Sequence, residues 1–315
     1  MSTPLVSVLI PCYNAEKYIG ETLESVFRQT WQNIEVIVVD DGSTDNSASE
    51  VERFRTQNLT LIRQSNAGAA VARNLAYSKA MGDYLQFLDG DDLIAPEKIA
   101  NQISRLTAHP RCIAAGRWGR FYKSITETQF EAEPVQADLD SVEWLVRSRQ
   151  KGLGMLFPAL WLIPREVAEA AGPWDETLSL GDDGEYFTRV VLAAERVLYC
   201  PDALCYYRSG LINSLSGQRS PAAWASAFRV LELCESHLRA REDSERVRRG
   251  FALSWQHLAH SCYPYDRHMA EYALNRARAL HSVTIKPGGG PAFHMVSRLV
   301  GWRLARLLQV ASGRP

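Results

Sequence analysis

Short apolar runs alternate with segments of helical periodicity over the first ninety residues of the chain. The apolar runs are rich in β-branched residues, which is typical of buried strands, and we expect Pro11 to end the first of them. The predicted strands lie at residues 5–10, 34–39, 59–63 and 84–88. Helical spacing follows the first three, between residues 14 and 27, at 48–55 and at 69–80. This alternation predicts a parallel sheet with helices on both faces.

After residue 95 the pattern is less regular, but short apolar runs and segments of helical spacing still occur. It predicts helices at 96–109, 142–149, 165–171 and 182–194, and strands at 113–122, 159–163, 197–199 and 203–208. A glycine-containing stretch at 152–156 predicts a mobile loop. Helical periodicity dominates 221–281, and a glycine-rich linker then precedes a last helix. We therefore expect an α/β fold with a mainly parallel, Rossmann-like sheet and a helical C-terminal extension, divided as 1–215, 216–285 and 286–315.

Composition narrows the class of protein. The 315 residues are 46% hydrophobic and 23% charged, as in a globular protein, and the net charge of −1 argues against a nucleic-acid binder. The six cysteines form no zinc-binding spacing, which favours free thiols in a reducing compartment. Neither a basic leader nor an apolar run of about 20 residues is present. The expected location is the cytoplasm, or the inner face of a membrane.

Three acids follow the fourth predicted strand. Asp89, Asp91 and Asp92 are separated only by Gly90, and carboxylates this close repel one another. A Mg²⁺ or Mn²⁺ ion removes the repulsion, and Mg²⁺ is usually held by one or two carboxylates together with substrate phosphates. The residues by themselves leave a second interpretation open, a polar turn in which Asp92 caps the following helix.

Polar side chains also follow the first two strands, at Tyr13, Asn14, Asp40 and Asp41. Ligands of open α/β sheets bind beyond the carboxyl ends of the strands. The residues after the first strand are not the glycine-rich turn of a nicotinamide site, and no phosphate-binding Gly-Lys-Ser/Thr occurs.

Two further acidic pairs have alternative interpretations. Asp182 and Asp183 begin a predicted helix, where the helix dipole favours acids for structural reasons alone. For Asp138 and Asp140 we prefer capping of the next helix to metal binding.

With these segments in order, the chain resembles the family 2 glycosyltransferases of the GT-A fold over about residues 4–215. The motifs that carry the resemblance are Val6-Ser-Val-Leu-Ile-Pro-Cys-Tyr-Asn14, Val38-Val-Asp-Asp-Gly-Ser-Thr-Asp45, Asn66-x-Gly68 with Ala72-Arg-Asn74, Gly82-Asp-Tyr-Leu-Gln-Phe-Leu-Asp-Gly-Asp-Asp92, Gly172-Pro-Trp-Asp175, Gly181-Asp-Asp183 and Tyr207-Arg208.

The resemblance implies inverting transfer of a sugar from a nucleotide diphosphate sugar, most often a UDP-sugar, with Mn²⁺ or Mg²⁺. It assigns Asp183 as the catalytic base and Asp91, with Asp92 close by, as the metal ligands. The donor-binding residues that it implies are Pro11, Tyr13, Asn14, Asp40, Arg73, Asp89 and Arg208. Trp174 and Asp182 would contact the acceptor. The family usually has Glu-Asp where this chain has Asp182-Asp183. The second residue keeps its carboxylate, so the shorter first side chain affects the expected acceptor contacts and not the catalytic base.

Two other functions remain open at this stage. A nucleotide-sugar-binding protein without transfer activity would not need both Asp91 and Asp183. A nucleotidyltransferase would need a basic, glycine-rich loop after the first strand, where this chain has Pro11-Cys-Tyr-Asn.

The last helix combines an apolar face with a basic one. The apolar face is Phe293, Val296, Val300, Leu304, Leu307 and Leu308, and the other side carries Arg298, Arg303 and Arg306. No acid occurs after Glu271. Such a helix suits an anionic membrane surface and, with it, a lipid-linked saccharide acceptor. The alternatives are docking on the protein's own body or on a second subunit of a homodimer.

Overall fold

The computed structural model describes residues 3–54, 58–150, 154–211 and 217–312. Its first half is the expected β-α alternation. The strands β1 (Val6–Cys12), β2 (Ile34–Asp40), β3 (Leu59–Arg63) and β4 (Tyr84–Phe87) are parallel, in the spatial order β3-β2-β1-β4. The helices between them are α1 (Ile19–Phe27), α2 (Ser47–Glu52) and α3 (Ala69–Lys79). The carboxyl ends of β1, β2 and β4 therefore lie at one edge.

Pro11 does not end the first strand as expected, since β1 continues to Cys12. Leu9 accepts a hydrogen bond from the Leu88 N–H on the β4 side. Two residues further on, Pro11 faces the same side, beyond the last residue of β4, and pairs only with β2. Its missing N–H therefore removes no ladder hydrogen bond there.

The second half makes the sheet mixed. The strands β5 (Leu93–Ile94), β6 (Ile113–Phe121), β7 (Leu139–Asp140), β8 (Trp161–Pro164) and β9 (Arg196–Arg208) complete the sheet. β8 is antiparallel to β4 and β6, whereas β6 and β9 are parallel. The two strands predicted at 197–199 and 203–208 are one strand, β9. Residues 152 and 153 of the predicted mobile loop lie outside the described residues.

Helices cover the sheet and form the C-terminal part. They are α4 (Lys98–Leu106), α5 (Ser141–Ser148), α6 (Arg165–Ala171), α7 (Asp182–Ala193), α8 (Pro221–Arg241), α9 (Glu245–Cys262), α10 (Arg267–Leu280) and α11 (Pro291–Ala311). One cluster of buried side chains runs from β1 to α10. The division at 215 and 285 stays a prediction. Among the described residues, no helix has both the length and the apolar character needed to span a bilayer.

The acids at positions 138 and 140 have structural partners. The Asp140 carboxylate accepts a hydrogen bond from the Glu143 N–H at 2.9 Å, which caps α5. Asp138 accepts from Arg105 and from the Tyr199 N–H. The capping interpretation is confirmed for Asp140.

A buried glutamate joins three of the C-terminal helices. Glu235 on α8 is 2% exposed. Its carboxylate accepts from Arg239 at 2.8 Å, from Arg276 of α10 at 2.6 Å and from the Trp255 indole N–H of α9 at 2.7 Å. Because each oxygen has a donor, burial of this charge is compensated.

We expect Glu235→Ala to lower the free energy of unfolding by about 3–5 kcal/mol, because two guanidinium groups and an indole N–H lose their shared acceptor. Urea unfolding followed by circular dichroism measures the change. Glu232→Ala is the control, since Glu232 accepts a hydrogen bond from the Tyr272 hydroxyl and forms an exposed ion pair with Arg229, both at the surface. Equal midpoints for the two variants would contradict the expectation.

Candidate active site

The acidic turn after β4 is pressed against the end of β1. Gly90 is buried, and a Cβ atom at this position would lie 3.2 Å from the carbonyl oxygen of Pro11. A side chain here would therefore displace the turn. Glycine at position 90 lets Asp89, Asp91 and Asp92 lie directly beside the β1 edge.

Arg73 on α3 joins the two acidic segments of the site. Its guanidinium donates to Asp89 at 2.8 Å and to Asp182 at 2.7 Å, although these acids are far apart in sequence. It also stacks over the Trp174 ring, 4.4 Å from its centroid. Burial by itself lowers the pKa of Arg73, but the charges of Asp182 and Asp89 outweigh it and raise the net pKa. Arg73 is thus a permanent cation that holds the β4 turn against the start of α7.

The start of α7 is shaped by Gly181 and by the helical extension. Gly181 has a φ of 85°, a left-handed conformation that glycine adopts without strain, and α7 begins at Asp182. Ser226 of α8 accepts from the Ser179 N–H at 2.7 Å and donates to the Leu180 carbonyl. The extension therefore fixes the loop that leads into Asp182 and Asp183. Sequence reasoning missed Ser226, because no motif links it to a loop more than forty positions earlier.

Three acids of the site, Asp91, Asp92 and Asp183, have raised pKa values. Burial, followed by the charge of Asp89, raises the pKa of Asp91 to about 7. Burial, followed by the charge of Asp182, raises the pKa of Asp183 to about 7. Burial and the charges of Asp91 and Asp89 also raise the pKa of Asp92 well above its usual range. Perturbed carboxyl groups of this kind are typical of functional sites.

Asp92 and Arg208 tie the end of β9 to the acidic turn. One carboxylate oxygen of Asp92 accepts from the Arg208 N–H at 2.9 Å, and the Arg208 Nε donates to the Asp91 carbonyl at 2.8 Å. The second oxygen of Asp92 is buried without a hydrogen-bond partner. Arg208 also pairs with Glu21 of α1 at 2.6 Å. Its side chain is thus held at the site by the acidic turn and by α1.

The acidic turn suits a divalent cation only if other ligands join it. The unpartnered Asp92 oxygen and the raised pKa of Asp91 both indicate unrelieved negative charge that a cation would reduce. Within the described ranges, however, no three His, Cys, Asp or Glu residues are grouped so as to hold a metal ion. Phosphate oxygens commonly complete a Mg²⁺ site of this kind.

The predicted nucleobase residues lie together at the ends of β1 and β2. Cys12 is the β1 residue opposite Asp40, whose carboxylate accepts from the Ser43 N–H at 3.1 Å. Asn14, with a φ of 49°, accepts from the Thr44 N–H. Tyr13 is exposed. The structure thus brings Pro11, which directly precedes Cys12, close to both the Asp40 loop and Gly90.

Asp41, whose role the sequence did not reveal, holds the loop before α3. Its carboxylate accepts from the N–H groups of Ala67 and Gly68, each at 2.8 Å, and from Gln64. These bonds place the start of the helix that carries Arg73. The adjacent acids at positions 40 and 41 were visible in the sequence, but their pattern did not show that Asp41 holds this loop.

The two residues expected to contact the acceptor are placed differently. Trp174 is 2% exposed and stacks on Tyr186 with ring centroids 4.0 Å apart. Asp182 is also buried, and its carboxylate is engaged by Arg73. Both side chains are engaged within the protein, and their contact with an acceptor stays a prediction. The Trp174 ring stacks on the Arg73 guanidinium, and the Asp182 carboxylate accepts a hydrogen bond from it.

This fold and this site define a class. A sheet of this order, with clustered acids from β4 and α7 beside the ends of β1 and β2, is that of glycosyltransferases with the GT-A fold. The sequence pattern described as Glycosyl transferase family 2 matches residues 7–170, and the chain belongs to this family. It is therefore a glycosyltransferase, and the nucleotidyltransferase and binding-protein alternatives are set aside.

Relatives of known name agree with the family. The glycosyltransferase GlyG of Streptococcus pneumoniae is 30% identical over 221 residues, which are 65% of this chain and 70% of GlyG. The Escherichia coli protein WfgD, named UDP-Glc:alpha-D-GlcNAc-diphosphoundecaprenol beta-1,3-glucosyltransferase, is 41% identical over 107 residues. That match covers 34% of this chain and 42% of WfgD, so the chain spans less than half of WfgD.

Solved structures agree in fold. Residues 1–349 of S. aureus TarS in complex with UDP-GlcNAc match with a TM-score of 0.67 at 18% identity, covering 98% of this chain and 92% of the TarS chain. The mannosyltransferase PcManGT of Pyrobaculum calidifontis, in complex with GDP-Man and Mn²⁺, matches with a TM-score of 0.53 at 20% identity, covering 98% of this chain and 87% of PcManGT. The GT-A fold expected from the sequence is confirmed.

Proposed function

We propose that this protein transfers a sugar, with inversion, from a UDP-sugar to a hydroxyl acceptor in bacterial surface glycan or lipid-linked saccharide assembly. The observation that carries the proposal is the double ion pair of Arg73, which joins Asp89 and Asp182. It makes one site from the acidic turn after β4 and the acids that begin α7. The anomeric carbon of the donor and the base that activates the acceptor hydroxyl would then lie in the same site.

In the proposed reaction Asp183 removes the proton of the acceptor hydroxyl. Its pKa of about 7 gives a stronger base than an ordinary aspartate while leaving a useful carboxylate fraction near neutral pH. The acceptor oxygen attacks the anomeric carbon as the bond to the diphosphate breaks. A single displacement from the face opposite the diphosphate inverts the configuration.

Asp91 would hold a Mn²⁺ or Mg²⁺ ion with the donor diphosphate, with Asp92 close by. Such an ion supplies Lewis-acid stabilisation of the negative charge on the departing diphosphate. The raised pKa of Asp91 and the unpartnered oxygen of Asp92 support this assignment. The Mn²⁺ in the PcManGT complex supports the choice of ion.

The donor assignment follows from the β1–β2 edge. Pro11, Tyr13, Asn14 and Asp40 would border the nucleobase, while Arg73, Asp89 and Arg208 would surround the ribose and diphosphate. The UDP-GlcNAc bound by TarS and the UDP-Glc in the name of WfgD favour uridine. A thermal-shift screen of UDP-, GDP- and TDP-sugars with and without Mn²⁺ tests this proposal. UDP-sugars should give the largest stabilisation, and a larger shift with another nucleotide would contradict it.

We expect Asp91→Ala to abolish the Mn²⁺-dependent part of donor binding, because the cation loses its main protein ligand. Isothermal titration of the UDP-sugar with and without Mn²⁺ measures the effect. Asp83→Asn is a matched control from the same stretch, since the Asp83 carboxylate accepts from the Leu5 N–H at the opposite end of β4 from the site. Titrations of Asp91→Ala that match the wild type would count against the metal assignment.

We also propose that the acceptor is lipid-linked and that the protein works at the cytoplasmic face of a membrane. The diphosphoundecaprenol acceptor in the name of WfgD supports this proposal. The acid-free C-terminal segment supports it from this chain itself. Transfer of radiolabelled sugar into a butanol-extractable lipid product, compared with a soluble glycoside acceptor, tests it. Transfer only to the soluble glycoside would contradict it.

A further inference from the structure

The last helix exposes an apolar stripe that no described residue covers. Five large apolar side chains on α11 are between 45% and 82% exposed: Met295, Leu299, Val300, Leu304 and Leu308. The chain leaves the helical conformation at Gly301, so spacings of four residues hold within each half of α11 and place Met295 beside Leu299 and Leu304 beside Leu308. Exposed large apolar side chains grouped in this way usually mark an interaction site.

The second half of α11 is fastened to the rest of the protein. Trp302 packs against His260 and Tyr263 of the α9 end, with ring centroids 4.6 and 5.0 Å apart. Phe293 of the first half is buried, and the Arg306 guanidinium of the second half lies 4.5 Å from its ring centroid. The second half is therefore docked on the body of the protein, the first half is held against the second, and both still expose apolar side chains.

This placement changes the helix faces expected from the sequence. Phe293 is buried, and Leu307 packs against the core instead of belonging to the outer face. Arg303 pairs with Glu271 at 2.5 Å, and Arg306 donates to the Gly288 carbonyl at 2.6 Å, so both help to hold the helix. The chain adopts a φ of 79° at Gly301, which divides α11 into two helical segments. A break at this point shifts the apolar faces relative to those of one straight helix.

The charge of the C-terminal segment indicates which partner binds the exposed apolar side chains of α11. The segment after Glu271 has seven arginine and lysine residues and no acid, and Arg278, Lys286 and Arg298 are exposed. A second copy meeting this face would bring two acid-free segments together, and their charges would repel. An anionic lipid surface offers opposite charge to the basic residues and an apolar layer to the stripe.

We propose that the exposed apolar side chains of the two halves of α11 insert into the interface of an anionic bilayer and anchor the folded protein there. Met295, Leu299, Val300, Leu304 and Leu308 enter the acyl boundary, while Arg278, Lys286 and Arg298 contact lipid headgroups. The anchor uses no residue of the candidate active site. Its test is therefore independent of the proposed sugar transfer.

Co-sedimentation of the full chain with vesicles of phosphatidylcholine alone, or with 30% phosphatidylglycerol, tests the anchor. We expect binding to the anionic vesicles that weakens with salt, and at least about a 10-fold weaker partition for Leu299→Glu/Leu304→Glu, because two inserted side chains become charged. Met81→Glu is the matched control, since Met81 is 75% exposed but lies before β4, outside α11. It should bind as the wild type does.

Three results would overturn the proposal. The wild type could fail to bind anionic vesicles at low salt, or the double variant could bind as tightly as the wild type. Light scattering could instead show a dimer that the double substitution dissociates while vesicle binding is absent, which would make a second copy the occupant. If melting curves show that the double variant is unfolded, Leu299→Gln replaces it with the same readouts.

Discussion

Asp183→Asn should lower the rate constant of transfer by about 10²- to 10⁴-fold, the usual contribution of a general base. The amide keeps the size of the side chain but cannot accept the acceptor proton. The Asp183 carboxylate accepts from the Gly184 N–H at 2.7 Å, a bond that the asparagine oxygen can retain. Donor affinity in the presence of Mn²⁺ should stay close to that of the wild type. Steady-state kinetics and donor titration measure the two effects separately.

The pH profile gives a second readout of the same residue. Because the pKa of Asp183 is raised to about 7, the basic form increases as the pH rises through 7 and is lost below it. At saturating Mn²⁺ and donor, which keep the proposed metal ligand Asp91 ionised, the transfer rate of the wild type should therefore fall on the acid side of about pH 7, and the residual rate of Asp183→Asn should lack this limb. Asp140→Asn, at another helix start, is the control and should behave as the wild type. Near-wild-type turnover of Asp183→Asn would refute the assignment.

Arg73→Met should lower the free energy of unfolding by about 3 kcal/mol or more and remove measurable transfer. The substitution leaves the buried Asp182 and the partly buried Asp89 without their shared cation. Their repulsion would then separate the acidic turn from the start of α7. Chemical denaturation measures the stability, and donor titration with Mn²⁺ measures the site.

Arg73→Lys separates stability from function. A lysine keeps the positive charge, but its single ammonium lacks the planar fork that reaches two carboxylates at once. We expect it to recover part of the stability and little of the transfer activity. Arg63→Met is the control, because the ion pair of Arg63 with Glu52 is exposed and should contribute about 1 kcal/mol or less. Wild-type stability and activity in Arg73→Met would remove the main support for a shared site.

Local pattern was sufficient for most elements. The helix α6 and the strand β3 have the predicted bounds, since apolar periodicity and flanking turn residues depend on near neighbours. The single strand β9 was predicted as two, because its interior contains Pro201 and Asp202. Its pairing with β6 shifts register between Ala115 and Arg117, a feature of contacts between distant segments.

The residues of the candidate site could be predicted from the sequence, but their arrangement in space could not. The acids after β2 and β4, and those at the start of α7, were recognisable from the sequence and from the family that it resembles. The burial of Trp174 and Asp182 was not recognisable, because burial depends on what packs against a side chain. Ser226, Asp41 and the outer face of α11 also depend on such contacts.

By itself, the sequence determined the alternation of strands and helices in the first ninety residues, the acidic turns and the basic, acid-free C-terminal segment, because spacing and composition are properties of neighbouring residues. Only the tertiary structure decided that Arg73 bridges Asp89 and Asp182, that α8 supports the loop before Asp183, and that α11 is docked on one face and exposed on the other. These features arise from packing between segments far apart along the chain, and local periodicity carries no information about such contacts.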